Sequence, residues 1–414
     1  MRRWLLCALA MTSATTAVVD AQQPAAASGW TYNPDAGAVY RRGDLTAIAW
    51  GFAERQWGPR SAAVRADIWR RVRQGAEIDL PRFAMPGVTA PLRPVVVYEV
   101  DVTDNDFFRA GRRSQVFENA YVALQRADDA TKGRVLFGEN THILSREDNL
   151  SSGNLPAINR SLVLEEHGSV NSFGTQWGVE ASRALTAHAT LAVSVQDNRG
   201  SLNTSHPSYA VGNSVAAKLS VIALNDPARG GQLTIGLGGD YTRDIRDRTF
   251  TLASAIGAEA LGGAVANGDK VSLEGDVAYT GRVSLPLTAD RPFTVEGEAI
   301  ASSFSGTGTD VGGGYVQLQL SAFDSRRAGD FDPFVRYDVV YLDRNATFGA
   351  AVQHAIRAGV NYNLPGTNKH TNVHLEYALN RIGGPEMYVP AAARRAFGEV
   401  RVGVRVSAIR YSRH

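Results

Sequence analysis

Lys270-Val271-Ser272-Leu273-Glu274-Gly275-Asp276-Val277-Ala278-Tyr279 is the stretch on which the fold turns. Val271, Leu273, Val277 and Tyr279 fall on one side of a two-residue period, and Lys270, Ser272, Glu274 and Asp276 on the other. A strand sends successive side chains to opposite faces, so this stretch is a ribbon with one apolar wall and one charged wall.

The pattern recurs along the chain. Val373, Leu375, Tyr377 and Leu379 oppose Asn372, His374 and Glu376, and Val400, Val402, Val404 and Val406 oppose Arg401, Gly403 and Arg405. Phe293, Val295 and Ala299 oppose Thr294, Glu296 and Glu298, while Tyr98, Val100 and Val102 oppose Glu99 and Asp101. A soluble sandwich has the same period. Two features favour a membrane barrel. The segments run to about 9–11 residues, the length that crosses a bilayer at a tilt. Their polar faces carry both signs of charge on segment after segment, as the wall of a wet lumen would. Aromatics near segment ends (Tyr241, Phe250, Tyr279, Phe323, Phe331 and Tyr362) suit interfacial girdles. Asn225-Asp226-Pro227, Asn267-Gly268-Asp269, Gly312-Gly313-Gly314 and Leu364-Pro365-Gly366 read as turns between segments. The expected fold is all-β: a transmembrane antiparallel β-barrel of about sixteen strands, since single-chain bacterial barrels are even-numbered.

Residues 1–21 read as an export signal: Arg2 and Arg3, an apolar and small-residue stretch from Trp4 to Val19, and a small-x-small site at Val19-Asp20-Ala21. The lone cysteine, Cys7, lies inside it, so a processed chain has no thiol for disulfides or thiolate metal sites. Residues 22–43 are linker-like, and 44–414 carry the barrel pattern. Beyond the signal there is no long apolar run, so any membrane crossing has to use strands. A formal charge of +2 gives nucleic-acid binding no support. The chain has no HExxH, GxSxG or P-loop pattern, and the spacing of His142, Ser145 and Asp148 is no evidence for a triad. The residues point to no cofactor and no enzyme.

The main break in the alternation is 142–172, between strand-like runs at 133–140 and 173–182. It is charged, with Arg146, Glu147, Asp148, Arg160, Glu165, Glu166 and His167. So long a loop is functional or mobile. It either folds inward and narrows a pore or lies on the outer surface.

Several stretches resemble the phosphate-selective porin family, the O and P porins. They are Asp67-Ile68-Trp69-Arg70-Arg71-Val72-Arg73-Gln74-Gly75-Ala76-Glu77 and Arg134-Val135-Leu136-Phe137-Gly138-Glu139 running on into Leu144-Ser145-Arg146-Glu147-Asp148-Asn149-Leu150-Ser151-Ser152. Ile158-Asn159-Arg160-Ser161-Leu162, Phe334-Val335-Arg336-Tyr337-Asp338 and Ala358-Gly359-Val360-Asn361-Tyr362-Asn363-Leu364 carry it further. Asn159 stands where that family usually has an acid, and Lys132 is the one lysine near the loop. The resemblance implies a sixteen-stranded homotrimer in the bacterial outer membrane, in contact with its lipid. It also implies a third loop that constricts the pore and an Arg-lined route for anions or phosphate.

Guanidinium stays charged and donates in pairs, which suits such a route. The expected pathway cations are Arg146 and Arg160 in the loop, then Arg70 and Arg71, and Lys132. Of the adjacent Arg70 and Arg71, only one can face the lumen. Glu147, Asp148, Glu165 and Glu166 are the expected opposing acids. The expected function is passive diffusion of small hydrophilic solutes, with a lean toward anions. The competing readings are a plugged barrel with a structural or adhesin role, and an outer-membrane enzyme such as a lipase.

Overall fold

The computed structural model describes residues 29–33, 37–58, 67–104, 113–150, 155–157, 161–164, 175–197, 213–226, 230–253, 260–285, 288–321, 323–325, 329–344, 350–365, 371–384 and 396–407. Among them are nineteen strands: β1 (Gly29–Asn33), β2 (Gly37–Arg42), β3 (Leu45–Trp57), β4 (Asp67–Asp79), β5 (Leu92–Asp104), β6 (Arg113–Arg126), β7 (Arg134–Thr141), β8 (Thr175–Thr186), β9 (Ala189–Asp197) and β10 (Asn213–Asp226). They continue with β11 (Gly231–Ala253), β12 (Ala260–Leu285), β13 (Thr288–Phe304), β14 (Thr309–Leu320), β15 (Phe323–Ser325), β16 (Gly329–Arg344), β17 (Ala350–Asn363), β18 (Thr371–Gly383) and β19 (Ala396–Ser407).

Every pairing is antiparallel, and the ladder runs from β3 neighbour by neighbour to β14, on through β16 to β19, and back to β3. That ring holds sixteen strands and closes where Val402 to Ser407 pair with Trp57 to Phe52. The same edge of β3 pairs at its other end, Leu45 to Ala49, with β2. β2 therefore occupies the stretch of seam that β19 does not reach. Closure removes the free edge that an open sheet would expose to lipid. Part of the segment read as a linker, 22–43, is thus strand, because Gly29–Asn33 and Gly37–Arg42 form a hairpin docked on the seam.

The two walls are sorted as the alternation predicts. Val271, Leu273 and Val277 are 53%, 65% and 44% exposed, whereas Lys270, Ser272 and Glu274 are at 0–1%. The same split holds on β18, where Leu375, Tyr377 and Leu379 are exposed and His374, Glu376 and Asn380 buried. Apolar side chains face outward and ionic ones inward, the reverse of a soluble protein and what a bilayer demands. No helix among the described residues is long and apolar enough to cross a membrane.

Two expected turns are strand. Asn267-Gly268-Asp269 lies inside β12, where Gly268, at φ 88°, sits in a shifted register opposite Ile245. A glycine there absorbs the bulge that bends the ribbon. Gly312-Gly313-Gly314 lies inside β14. A Cβ on Gly312 would fall 2.4 Å from the Tyr341 hydroxyl of β16, so the glycine makes room for that ring rather than for a turn. Several strands also exceed the expected length. β11 and β12 have 23 and 26 residues and pair out to Ala253 and Ala260, so that hairpin continues past any single bilayer crossing. Between Glu99 and Val100 the β5–β6 register shifts by one extra residue, Glu118, on β6; Glu99 and Asp101 both stay on the inner side, and Val100 between them is buried as well, at 1%. Tyr279 stacks near Phe293 and Phe331 near Tyr362, as an aromatic girdle would; the side chains of Phe250 and Phe323 lie outside the described residues.

Candidate functional site: the loop across the lumen

After β7 the chain turns into the barrel. His142, Ile143, Leu144 and Ser145 are all buried, and a short helix α1 (Arg146–Asn149) follows. Ser145 starts this helix as an N-cap, its Oγ accepting from the Asp148 amide at 2.9 Å. That role accounts for Ser145 and Asp148 without any triad.

The segment is held against the inner faces of strands far along the chain. Lys218 Nζ on β10 donates to the Leu144 carbonyl. The Glu147 amide donates to Glu298 Oε2 on β13 at 3.0 Å, and Arg146 Nε reaches Glu296 Oε2 at 3.4 Å. Arg336 Nη1 on β16 donates to Glu147 Oε1, while Glu147 Oε2 accepts from the Ser161 amide at 2.8 Å. Asn361 Nδ2 on β17 donates to the Pro156 carbonyl at 2.9 Å. Apolar contacts complete the seat. Ile143, Leu144, Val163 and Leu164 pack with Ala216 and Ile300, and Leu162 packs with Ile245, Phe304, Val311, Val340 and Leu342. The described parts of the loop therefore cross from β7 to the inner wall formed by β10 to β17.

Arg336 is the centre of this seat. It is 1% exposed, its guanidinium stacks 3.9 Å from the Tyr315 ring centroid, and its Nε meets Asp338 Oδ1 at 2.9 Å. Arg357 lies directly opposite on β17 and meets the other Asp338 oxygen at 3.0 Å, so one carboxylate separates two facing guanidiniums. Burial pushes the Glu147 carboxyl upward, but the Arg336 charge, its hydrogen bond and the Ser161 amide outweigh this and hold it below its ordinary value. At the loop root, burial lowers the His142 imidazole to about 4; Asp240 opposes this, and Lys270 and Lys218 add to it.

The expected residues fare unequally. Arg146 is in the loop and is engaged by Glu296. Glu147 faces the wall and anchors the loop instead of lining a pathway. Asp148 is half-buried in the first turn of α1. Lys132 lies at the opposite end of β7, 50% exposed beside Asp128 and Asp129 in the β6–β7 turn, and has no part in the site. Arg70 and Arg71 are on β4, but their side chains lie outside the described residues, as do Arg160, Glu165 and Glu166 altogether. On β4 the described inward cation is Arg73, which meets Glu99 and Asp101 at 3.0 Å and Glu118 at 2.7 Å. Arg73, Lys218, Arg336 and Asn361 were not singled out from the sequence. Their inward parity was readable, but nothing in the sequence tells which wall the loop would touch.

No family model matches the sequence, and no curated protein does. Solved structures do match in shape. OmpT of Vibrio cholerae, an outer membrane protein, superposes with a TM-score of 0.54 at 11% identity, over 89% of this chain and 99% of that one. The anion-selective porin from Comamonas acidovorans gives 0.53 at 15% identity, over 88% and 99%. Salmonella typhi OmpF, in complex with daunomycin, gives 0.52 at 13%, over 92% and 100%. At these identities the likeness shows the fold: this chain is a closed sixteen-strand antiparallel barrel built like those of outer-membrane porins and channels.

Proposed function

We propose that the chain is a porin of the bacterial outer membrane, exported by residues 1–21 and admitting small hydrophilic solutes by passive diffusion through a passage that 142–172 constricts. The observation that carries this reading is the loop seat. A barrel with an apolar outside and an ionic inside is crossed internally by a segment fixed through buried ion pairs and hydrogen bonds. The described parts of the segment dock on β10 to β17, so the passage we propose runs beside the rest of the ring. The likeness to an anion-selective porin and to a trimer form of OmpT supports a homotrimeric channel, which is part of the proposal.

The passage is narrow on this reading. On β19, too, Arg401 and Arg405 are buried at 0% and 3% and meet Glu376, Glu399 and Glu54. The mature protein inserted into a planar bilayer should give discrete conductance steps, small for a sixteen-strand barrel. A silent bilayer at every protein loading would instead favour a plugged barrel with a structural or adhesin role.

A further inference from the structure

We propose that the connection between β4 and β5, residues 80–91, is a membrane foot: a rigid apolar turn seated in the lipid headgroup layer at the end of the barrel opposite the loop. This rests on the outer-membrane placement proposed above and not on conduction.

The connection is apolar where its neighbours are charged. Leu80, Phe83, Met85 and Val88 are 36%, 44%, 48% and 42% exposed. On one side Arg82 Nε meets Asp44 Oδ2 of the β2–β3 turn at 3.1 Å. On the other the Ala127 amide donates to the Pro91 carbonyl at 2.9 Å, in the β6–β7 turn that carries Asp128, Asp129 and Lys132. The shape of the connection is fixed. The Leu80 amide donates to the Pro94 carbonyl, and Phe83 and Leu92 exchange backbone hydrogen bonds, each at 2.9 Å. At the tip the Val88 amide donates to the Met85 carbonyl at 3.1 Å across Pro86 and Gly87, and Gly87 has φ 82°. Proline second and a positive-φ glycine third are what a type II turn requires. Such a turn holds Met85 and Val88 in one arrangement, so seating them costs little ordering entropy.

Strand parity gives the direction of the foot. Leu92 has the parity of Val96 and Tyr98, which are 37% and 40% exposed on the outer wall, and Phe83, bridged to Leu92, faces outward beside it. Register gives the depth. Leu92 pairs with Arg126, which ends the outer apolar run of Val122 and Leu124 on β6 and binds Asp128. Phe83 thus lies on the row where lipid-facing side chains give way to charge. Met85 is two residues further on, about 7 Å along the chain and about 5 Å along the membrane normal at the usual strand tilt. One headgroup layer is about 5–7 Å thick. The tip therefore falls within that layer, where apolar side chains gain by burial at the acyl boundary. At the same end, Trp30 is 66% exposed with its ring 5.3 Å from that of Tyr40, and Tyr40 shares a row with the outer-wall residues Ala47 and Ile78, as interfacial aromatics do.

The mature protein has no cysteine, so Met85→Cys provides a single point for an environment-sensitive fluorophore. The labelled protein is folded into phospholipid vesicles and quenched in turn by iodide on both sides of the bilayer, by lipid with a nitroxide at the headgroup, and by lipid with a nitroxide at the acyl end. The expected result is strong quenching by the headgroup nitroxide, weaker quenching by the acyl-end one, and iodide quenching several-fold below that of the same chain unfolded in urea. Val88→Cys should repeat it. A label on Leu273→Cys, from the outer wall of β12, should show the reverse preference between the two lipids. Iodide quenching of the Met85 label equal to that of the unfolded chain overturns the foot. So does a label shielded from iodide yet untouched by either lipid, which would mean that protein, such as a second copy, covers the tip. A Leu273 label untouched by either lipid removes the membrane placement itself.

Discussion

Arg336 is a buried cation whose partners are supplied by the fold: Glu147 from the loop, Asp338 from its own strand, Gln317 on β14 and the Tyr315 ring beneath it. A buried ion pair adds little net stability over an apolar pair of the same shape, but removing one member strands the other charge. Arg336→Gln should therefore cost about 3–5 kcal/mol at the loop seat. With Glu147 no longer held, the loop should sample undocked positions. The check is single-channel recording, where the variant should show a larger and noisier open level than the wild type. An open level identical in size and noise would mean that Arg336 does not position the loop. Glu147→Gln removes the other member and should act in the same direction.

At the scale of elements, the loop is a short helix and a few buried side chains docked onto an independently closed ring. Its root holds a pH-sensitive group that faces both acid and base: His142, buried beside Asp240, Lys270 and Lys218. The imidazole is held neutral, with its folded value about 4 against an ordinary 6.5. A depressed histidine binds its proton more readily when undocked. The docked loop is therefore stable above pH 6.5 and loses stability as pH falls from 6.5 toward about 4, by up to roughly 3 kcal/mol. Noise from loop excursions should rise across that window, and His142→Gln should flatten the rise. A wild-type profile level from pH 7 to pH 4 would show that the root is not titrating. The hairpin of β11 and β12 makes a different point at this scale: two of the segments expected to span about ten residues run far longer, because positive-φ Gly268 and successive register shifts let the ribbon bend and continue.

For the whole molecule, the sorting of faces makes position on the strand matter more than residue type. Leu273 is 65% exposed on the outer wall and Ser272, its neighbour, is 1% exposed on the inner one. Leu273→Lys should cost about 2–4 kcal/mol near the bilayer midplane. Ser272→Lys, on the inner face and away from lipid, should be tolerated better. Urea titration of the protein folded into liposomes compares the two directly. Equal penalties would argue that Leu273 does not face lipid.

What the sequence determined by itself is the local part. The two-residue period of 270–279, 372–380 and 399–407 names the face of each side chain, because in a strand the face depends only on parity along the chain. An outward apolar wall and a break at 142–172 follow from that period, and sixteen strands from it together with the even number that single-chain barrels have. It failed at Gly268 and Gly312, where glycine serves a bulge or a close ring contact and not a turn. Only the tertiary structure decided what the loop touches. Arg336 and Glu147 are 189 residues apart, and Glu147 and Glu298 are 151 apart. Contacts at that distance are set by ring closure and strand register, which no local pattern encodes.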